Sequence, residues 1–377
     1  MSHLVSRGTT MNLNQLELSA PPSLLVSKPD RPTLADHLGT SLPKWTWSCR
    51  ELVPHRHYPL VSDVSAPPRP GDVALVRIEK LGYHSKITTS DQGRLRLYPG
   101  DTLVTVFGNR YATDAYEGLV QSTESLHLLT GGGMIGTVTA RHRQMKNPTH
   151  VRFLGYLGNE NDQRLNLKQL QFRPTKLEQE FPNVVLLVGT GMNSGKTTTG
   201  TRLTRGLLAQ GLRVAACKIT GSVSERDQYE MRATGAHDVR DFSDYGFPST
   251  YLCDESELVP LFETMLADAV RIQPDIVVME IADGLLQRET QLLLRNEFVR
   301  QRVRGIVHTA GCAASALYGL SQLECCGHDV IALSGVITNS PLFVRELAEQ
   351  TDVPVCSSAE QTDALALEVM KFCRIGS

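Results

Sequence analysis

The sequence predicts an α/β chain, with a parallel sheet flanked by helices in its C-terminal half and a small mainly β domain before it. Three observations predict this. From residue 183 onward, short apolar runs alternate with helical patterns, the texture of a parallel sheet with helices on both faces. From 71 to 175 the segments are shorter and alternate apolar with polar, separated by turn signals. The first 70 residues hold ten of the nineteen prolines and both tryptophans, Trp45 and Trp47.

The Pro-rich stretch 1–70 reads as a segment that is loosely structured over 1–40. Part of 40–65 is expected to dock on a neighbouring domain through the tryptophans, and Ala66-Pro-Pro-Arg-Pro70 reads as an extended lead-in. In the β domain, strands are predicted over 72–78, 94–98, 102–107, 136–140 and 151–157, with turns at Tyr98-Pro-Gly-Asp101 and Thr130-Gly-Gly-Gly133. Such a pattern suits a small barrel. In the C-terminal domain, 183–377, strand 184–188 leads to helix 195–210. Strand 213–217, a helix near 227–235, helix 256–272 and strand 275–280 follow. Helix 287–301, strand 305–308, helix 313–326, strand 330–337 and helix 341–350 complete the reading.

Composition excludes several classes. At 377 residues, two domains are the natural expectation. A formal net charge of -2 with no long basic run argues against nucleic acid as the main partner. No apolar stretch approaches the roughly 18 residues of a membrane span, and the polar N-terminus does not read as a secretory signal. The eight cysteines form no Cys-x-x-Cys pair and read as reduced, mostly buried thiols of a cytoplasmic protein.

The chemistry is concentrated at Val184-Val-Leu-Leu-Val-Gly-Thr-Gly-Met-Asn-Ser-Gly-Lys-Thr-Thr198. A buried strand runs into a loop ending in Gly-Lys-Thr, and a helix follows. That sequence of elements builds a phosphate cradle: backbone N–H groups turn inward, the helix presents its positive end, Lys196 reaches the β/γ oxygens and Thr197 can hold Mg²⁺. Gly189, Thr190, Gly191, Met192, Asn193, Ser194, Gly195, Lys196, Thr197 and Thr198 are therefore the predicted nucleotide-binding loop. The spacing departs from G-x4-G-K-[ST], because Thr190 stands where the first glycine belongs, and Gly189 and Gly195 enclose five residues. The 183–377 domain is on this ground predicted to be a P-loop NTPase domain.

Four motifs in order give this half a resemblance to dethiobiotin synthetase and its relatives, which include the cobyrinic acid amidating enzymes. They are Gly189-Thr-Gly-Met-Asn-Ser-Gly-Lys-Thr197, Lys218-Ile-Thr-Gly-Ser222, Glu280-Ile-Ala-Asp-Gly284 and Gly335-Val-Ile-Thr-Asn339. The third departs from the family's Glu-Gly-Ala-Gly-Gly, and the β domain has no counterpart in dethiobiotin synthetase. The resemblance implies phosphoryl transfer from ATP to a carboxylate or carbamate, with adenine contacted by Asn339 and a homodimer as the assembly.

Read chemically, Lys196 and Lys218 offset charge on the γ-phosphate and the acceptor, and Thr197 and Glu280 hold Mg²⁺ with Asp227 or Asp283 as a further carboxylate. Thr220 and Ser222 are expected to contact substrate or phosphate. His308, at a strand end, is a candidate for substrate contact or proton transfer. Each has a plainer alternative: Lys218 as a surface lysine, Asp283 in an Asp-Gly turn, Asp227 at the start of a helix capped by Ser224, Asn339 as the cap of the helix near Pro341, His308 as a packed histidine.

In the β domain, Asn109, Arg110, Tyr111 and Asp114 lie between strands and are candidates to line a pocket, with Arg110 able to clamp a carboxylate. Gly131-Gly-Gly-Met-Ile-Gly136 matches a dinucleotide fingerprint in form only, since a strand, not a helix, is predicted after it.

Three functions fit. One is a Mg²⁺-ATP-dependent enzyme that activates a small-molecule carboxylate or amine by phosphorylation, leading to ligation or cyclisation. The second is a nucleotide-driven switch or delivery protein with the β domain as its partner-binding module. The third is a nucleotide-binding regulator without turnover.

Overall fold

The computed structural model describes residues 42–52, 58–62, 64–357 and 362–376. The expectation for 1–40 lies outside them. All described residues belong to one compact unit.

The N-terminal part holds β1 (Lys44–Trp45), a 3-10 turn, β2 (Val73–Lys80), β3 (Lys86–Thr88), β4 (Arg94–Arg96), β5 (Thr102–Phe107), β6 (Tyr116–Leu119), β7 (Leu126–Leu128), β8 (Met134–Arg141), β9 (Thr149–Tyr156) and the short α1 (Leu167–Gln171). Strands β5, β2, β9, β7 and β8 pair in that order and β8 pairs back with β5, so the five close on one another. Closure removes the free edges that an open sheet of this size would expose. Strands β3 and β4 form a separate two-stranded ribbon.

Successive residues of β2 feed opposite faces. Ala74, Val76 and Ile78 join Leu103, Phe107, Leu126 and Tyr156 in one cluster. Val73 and Leu75 join Trp45, Trp47, Val104 and Val106 in another. Both tryptophans are buried, and Trp47 packs against Tyr229 at 5.6 Å between ring centres.

The C-terminal part runs β10 (Val184–Gly189), α2 (Lys196–Ala209), β11 (Val214–Lys218), α3 (Glu225–Arg232), β12 (Asp238–Asp241), α4 (Glu255–Val270), β13 (Ile276–Glu280), α5 (Arg288–Arg295), α6 (Glu297–Arg302), β14 (Gly305–Thr309), α7 (Ala313–Cys325), β15 (Val330–Ser334), α8 (Pro341–Ala348) and α9 (Thr362–Cys373). Its six strands form one parallel sheet in the order β12-β11-β13-β10-β14-β15. Apolar residues of β10 alternate between layers. Val184, Leu186 and Val188 face the cluster built on α4, including Phe262 and Met265. Val185 and Leu187 face Leu203 and Leu207 of α2 and Leu365 and Val369 of α9. Each such fully buried aliphatic side chain contributes about 2 kcal/mol. The fold is thus α/β, with a β-rich barrel before a parallel sheet covered on both faces.

In the N-terminal part β1, β3, β6, β7 and α1 are additional to the sequence-based expectation, and in the C-terminal part four elements differ from it. Strand β12 is missed because Asp238-Val-Arg-Asp241 is a charged edge strand with one apolar residue. The helix expected over 287–301 breaks at Asn296, whose extended backbone ends α5 and whose side chain caps α6. Strand β15 stops at Ser334, because Gly335 takes φ 91° to pass the Gly189–Gly195 loop at Ser194 and a 3-10 turn follows. Helix α9 follows the last predicted element.

Candidate active site

In a parallel sheet the carboxyl ends of the strands share one edge, and ligands bind there. Here that edge carries Gly189, Lys218, Glu280, Thr309 and Ser334. Register places Lys218 directly beside Glu280 on one side and Asp241 on the other, and Gly189 beside Thr309.

The loop from Gly189 to Gly195 folds back on itself before α2. Asn193 and Gly195 both take left-handed backbone, with φ 61° and 97°. No side chain caps the start of α2, which opens on Lys196. Its first N–H groups therefore face the loop's concave side, the arrangement that binds phosphate oxygens. Thr190 N–H donates to the Thr309 carbonyl at 2.9 Å, and the Ser194 and Thr309 hydroxyls meet at 2.8 Å. Gly189 has no room for a Cβ against Thr309. Three neighbours thus brace the loop: Thr309, Gly284 and Gly335.

The Lys196 ammonium is buried and donates to the carbonyls of Gly191, at 2.9 Å, and Asp283. Burial lowers its pKa, opposed by the Glu280 and Asp283 carboxylates. Lys218 forms a short ion pair with Asp227 and stands 3.6 Å from Glu280. Burial would depress its pKa, but the Glu280 and Asp227 carboxylates outweigh it and hold the ammonium charged well above its ordinary range. Asp283 has left-handed backbone, φ 62°. Burial pushes its carboxyl up to about 6, against the pull of Lys196 and Lys218.

These residues form one wall of a cleft of about 630 Å³. Met192, Asn193, Lys196, Thr197, Lys218, Ser222, Asp227, Glu280 and Asp283 line it from the sheet side. The barrel supplies the opposite wall with Tyr83, His84, Lys86, Arg94, Arg110 and Thr130. The two parts touch around it: Asn193 donates to Asp114 at 2.8 Å, and Gly132 lies against the Val223 backbone.

Not every predicted site residue reaches the cleft. Thr220 is buried beside it, its hydroxyl accepting from Ala282 N–H at 2.8 Å, and so holds the loop after β13 in place. His308 is wholly buried under α7, with neither ring nitrogen hydrogen-bonded and Gly319 packed on Nε2. Burial drives its pKa down to about 4. Asn339 is exposed on the turn beyond β15, and the cap of α8 is Ser340. Asn109 and Asp114 do not line the cleft, whereas Arg110 and Tyr111 do. Sequence reading missed His84, Lys86, Arg94 and Thr130, which no motif marks; only the closure of the barrel onto the sheet edge brings them together.

A magnesium ion fits the donors present. Thr197, Asp227 and Glu280 offer a hydroxyl and two carboxylates, the oxygen-only set that Mg²⁺ takes together with substrate phosphates and water. Among the described residues no group of three His, Cys, Asp or Glu gathers as a metal site, and no helix is long and apolar enough to cross a membrane. All eight cysteines are free.

No protein-family model matches the chain, and no curated protein does. Solved structures that resemble it include the signal recognition particle receptor FtsY from Elizabethkingia anophelis, 16% identical over 55% of this chain and 70% of that one, TM-score 0.34. Others are the kinase domain of the Escherichia coli tyrosine kinase ETK, 14% identical over 40% and 66%, TM-score 0.29, and a LAO/AO transport system kinase, 17% identical over 52% and 60%, TM-score 0.33. At these values the likeness is loose, and the site stands on its own residues.

Proposed function

We propose that the protein binds a Mg²⁺–nucleoside triphosphate, ATP by preference, and transfers its γ-phosphoryl group to a small-molecule carboxylate or amine held in the cleft. The observation that carries this is the second lysine. Lys196 belongs to the Gly189–Thr197 loop, but Lys218 lies on the next strand, beside Glu280 and in the lining of the same cleft. A loop that only holds nucleotide has no need of it.

The chain's residues divide the work. The loop N–H groups and Lys196 hold the β- and γ-phosphates, and Thr197, Asp227 and Glu280 would hold the metal. Bound Mg²⁺ would neutralise charge on the phosphate oxygens. Lys218, kept charged by its carboxylate partners, draws the acceptor's anionic end towards the γ-phosphorus. The acceptor atom forms its bond to phosphorus as the bond to the β-phosphate oxygen breaks, the nucleoside diphosphate leaves with that electron pair, and an amine acceptor also releases a proton to solvent. Such transfer needs little beyond alignment and charge neutralisation. The four-motif resemblance to dethiobiotin synthetase supports the same chemistry.

A second reading, a nucleotide-driven switch, draws support from the Asn193–Asp114 hydrogen bond, which ties the phosphate loop directly to the barrel. One experiment separates them. Nucleoside diphosphate release from Mg-ATP and Mg-GTP is followed with and without a pooled small-metabolite extract, with Lys196→Ala as the blank and mass spectrometry on the pool. Release that depends on the pool, with one compound changing by a defined mass, is the expected result. Release indifferent to the pool would favour the switch.

A further inference from the structure

The two walls of the cleft differ in charge. On the sheet side every cation has a partner: Lys196 two carbonyls, Lys218 two carboxylates, Arg226 Glu230. The barrel side contributes Lys86, Arg94 and Arg110 to the lining and no carboxylate at all. None of the three makes an ion pair among the described residues. The Arg110 guanidinium is the telling one. It is largely covered by protein, and its hydrogen bonds go to the Leu129 carbonyl and to His84, at 3.3 Å. Burial and the neighbouring guanidinium push His84 down to about 4, so it stays neutral and adds no like charge beside Arg110. Burial lowers the Arg110 pKa, and the Asp114 and Asp283 carboxylates oppose that only from beyond ion-pair distance, so a buried guanidinium is left without a direct partner charge, which is costly. Beside it the Thr130 hydroxyl is buried and has no hydrogen-bond partner.

Lys86 and Arg94 are placed to act with it. In the β3–β4 ribbon Lys86 pairs with Arg96 and Thr88 with Arg94, so Lys86 and Arg94 lie diagonally on one face. Both are exposed at the mouth of the cleft, while Arg110 and Thr130 lie deeper.

We propose that the barrel wall is the acceptor subsite, in which Arg110, Lys86 and Arg94 hold an anionic group of a small polyanionic acceptor, a carboxylate or a phosphate, opposite Lys218. Arg110 grips the group through its planar fork, Thr130 donates its hydroxyl, and the exposed pair attracts and closes over it. The acceptor then carries two ends: one reacting near Lys218, one read by the barrel. This rests on the phosphoryl-transfer reading for the identity of the reaction, but anion binding by the barrel wall is measurable without it.

The probes are citrate and inorganic phosphate, titrated calorimetrically at low ionic strength into the full chain. The variants are Lys86→Ala/Arg94→Ala, which changes exposed positions only, and Arg110→Lys, which keeps the charge and loses the fork. Arg143→Ala, an exposed barrel cation outside the cleft, controls for net charge. The subsite predicts affinity for at least one probe that falls tenfold or more in the double variant and in Arg110→Lys and is unchanged in Arg143→Ala. Stronger binding of citrate than phosphate assigns a carboxylate, the reverse a phosphate. Equal affinity in all four proteins, or no binding of either probe, overturns the subsite. Mg-ATP titrated into the wild type reports separately on the nucleotide reading: if it does not bind, that reading fails while the anion result stands.

Discussion

Gly284 and Gly191 approach so closely that a methyl group on Gly284 would lie 2.8 Å from the Gly191 Cα and 2.7 Å from the Thr190 carbonyl oxygen. The loop after β13 and the Gly189–Gly195 loop are therefore packed as one body, which the Leu285 N–H to Gly189 carbonyl hydrogen bond at 3.0 Å reinforces. Gly284→Ala forces the two apart. Overpacking of this kind costs about 1–3 kcal/mol, so triphosphate affinity should fall on the order of tenfold. Calorimetry on the folded variant checks this, and unchanged affinity would mean that the loops are not coupled.

Lys218 is assigned to the acceptor, not to the nucleotide. Lys218→Ala should lower phosphoryl transfer on the order of a hundredfold or more, the scale of losing one preorganised charge at a reacting centre, while nucleotide affinity stays within a few-fold. Lys218→Arg, which can still pair with Asp227 and Glu280, should recover the melting temperature better than the turnover. Full activity in Lys218→Ala would remove the substrate-side assignment.

Asp283 makes stability depend on pH in a defined direction. Its carboxyl is raised from 3.8 to about 6 by burial. Between roughly pH 4 and 6 the folded state binds the extra proton, so this group's contribution to stability falls as pH rises through that window. Asp283→Asn cannot titrate. Its melting temperature relative to the wild type should climb from pH 4 to pH 6 and level off above, read by thermal melts at each pH. A difference that is flat across the window would show that the carboxyl is not raised.

His308 acts in the opposite sense. Its pKa falls from 6.5 to about 4 because the ring is buried and the Lys196 ammonium stands near it. The unfolded chain takes up a proton below about pH 6.5 that the folded state refuses until about 4, so stability drops as pH falls through that range. His308→Gln should flatten that drop in thermal melts, while turnover at neutral pH is retained if the residue only packs. Loss of turnover in a stable His308→Gln protein would return it to the chemistry.

What could be read from the chain follows from how local each signal is. The β10–loop–α2 unit is legible because an aliphatic run, two glycines and Gly-Lys-Thr are contiguous. Lys218 and Glu280 are legible because each ends an apolar run, and strand ends in a parallel sheet share an edge. Asp238–Asp241 hides because an edge strand can be charged on both faces. The wall formed by His84, Lys86, Arg94 and Thr130 hides because its residues belong to three separate segments, and only barrel closure joins them. His308 shows the limit of the strand-end rule: it occupies the end of β14 yet its ring turns under α7, where Gly319 leaves the space.

The central claim is that the Gly189–Thr197 loop binds a triphosphate through Lys196. Calorimetric titration of wild type and Lys196→Ala with Mg-ATP and Mg-GTP tests it directly. The account predicts binding by the wild type, tighter for ATP, and a loss on the order of a hundredfold in the variant, as expected when a buried charge that grips phosphate is removed. Equal affinity in the two proteins, or no binding of either nucleotide by the wild type, would contradict it.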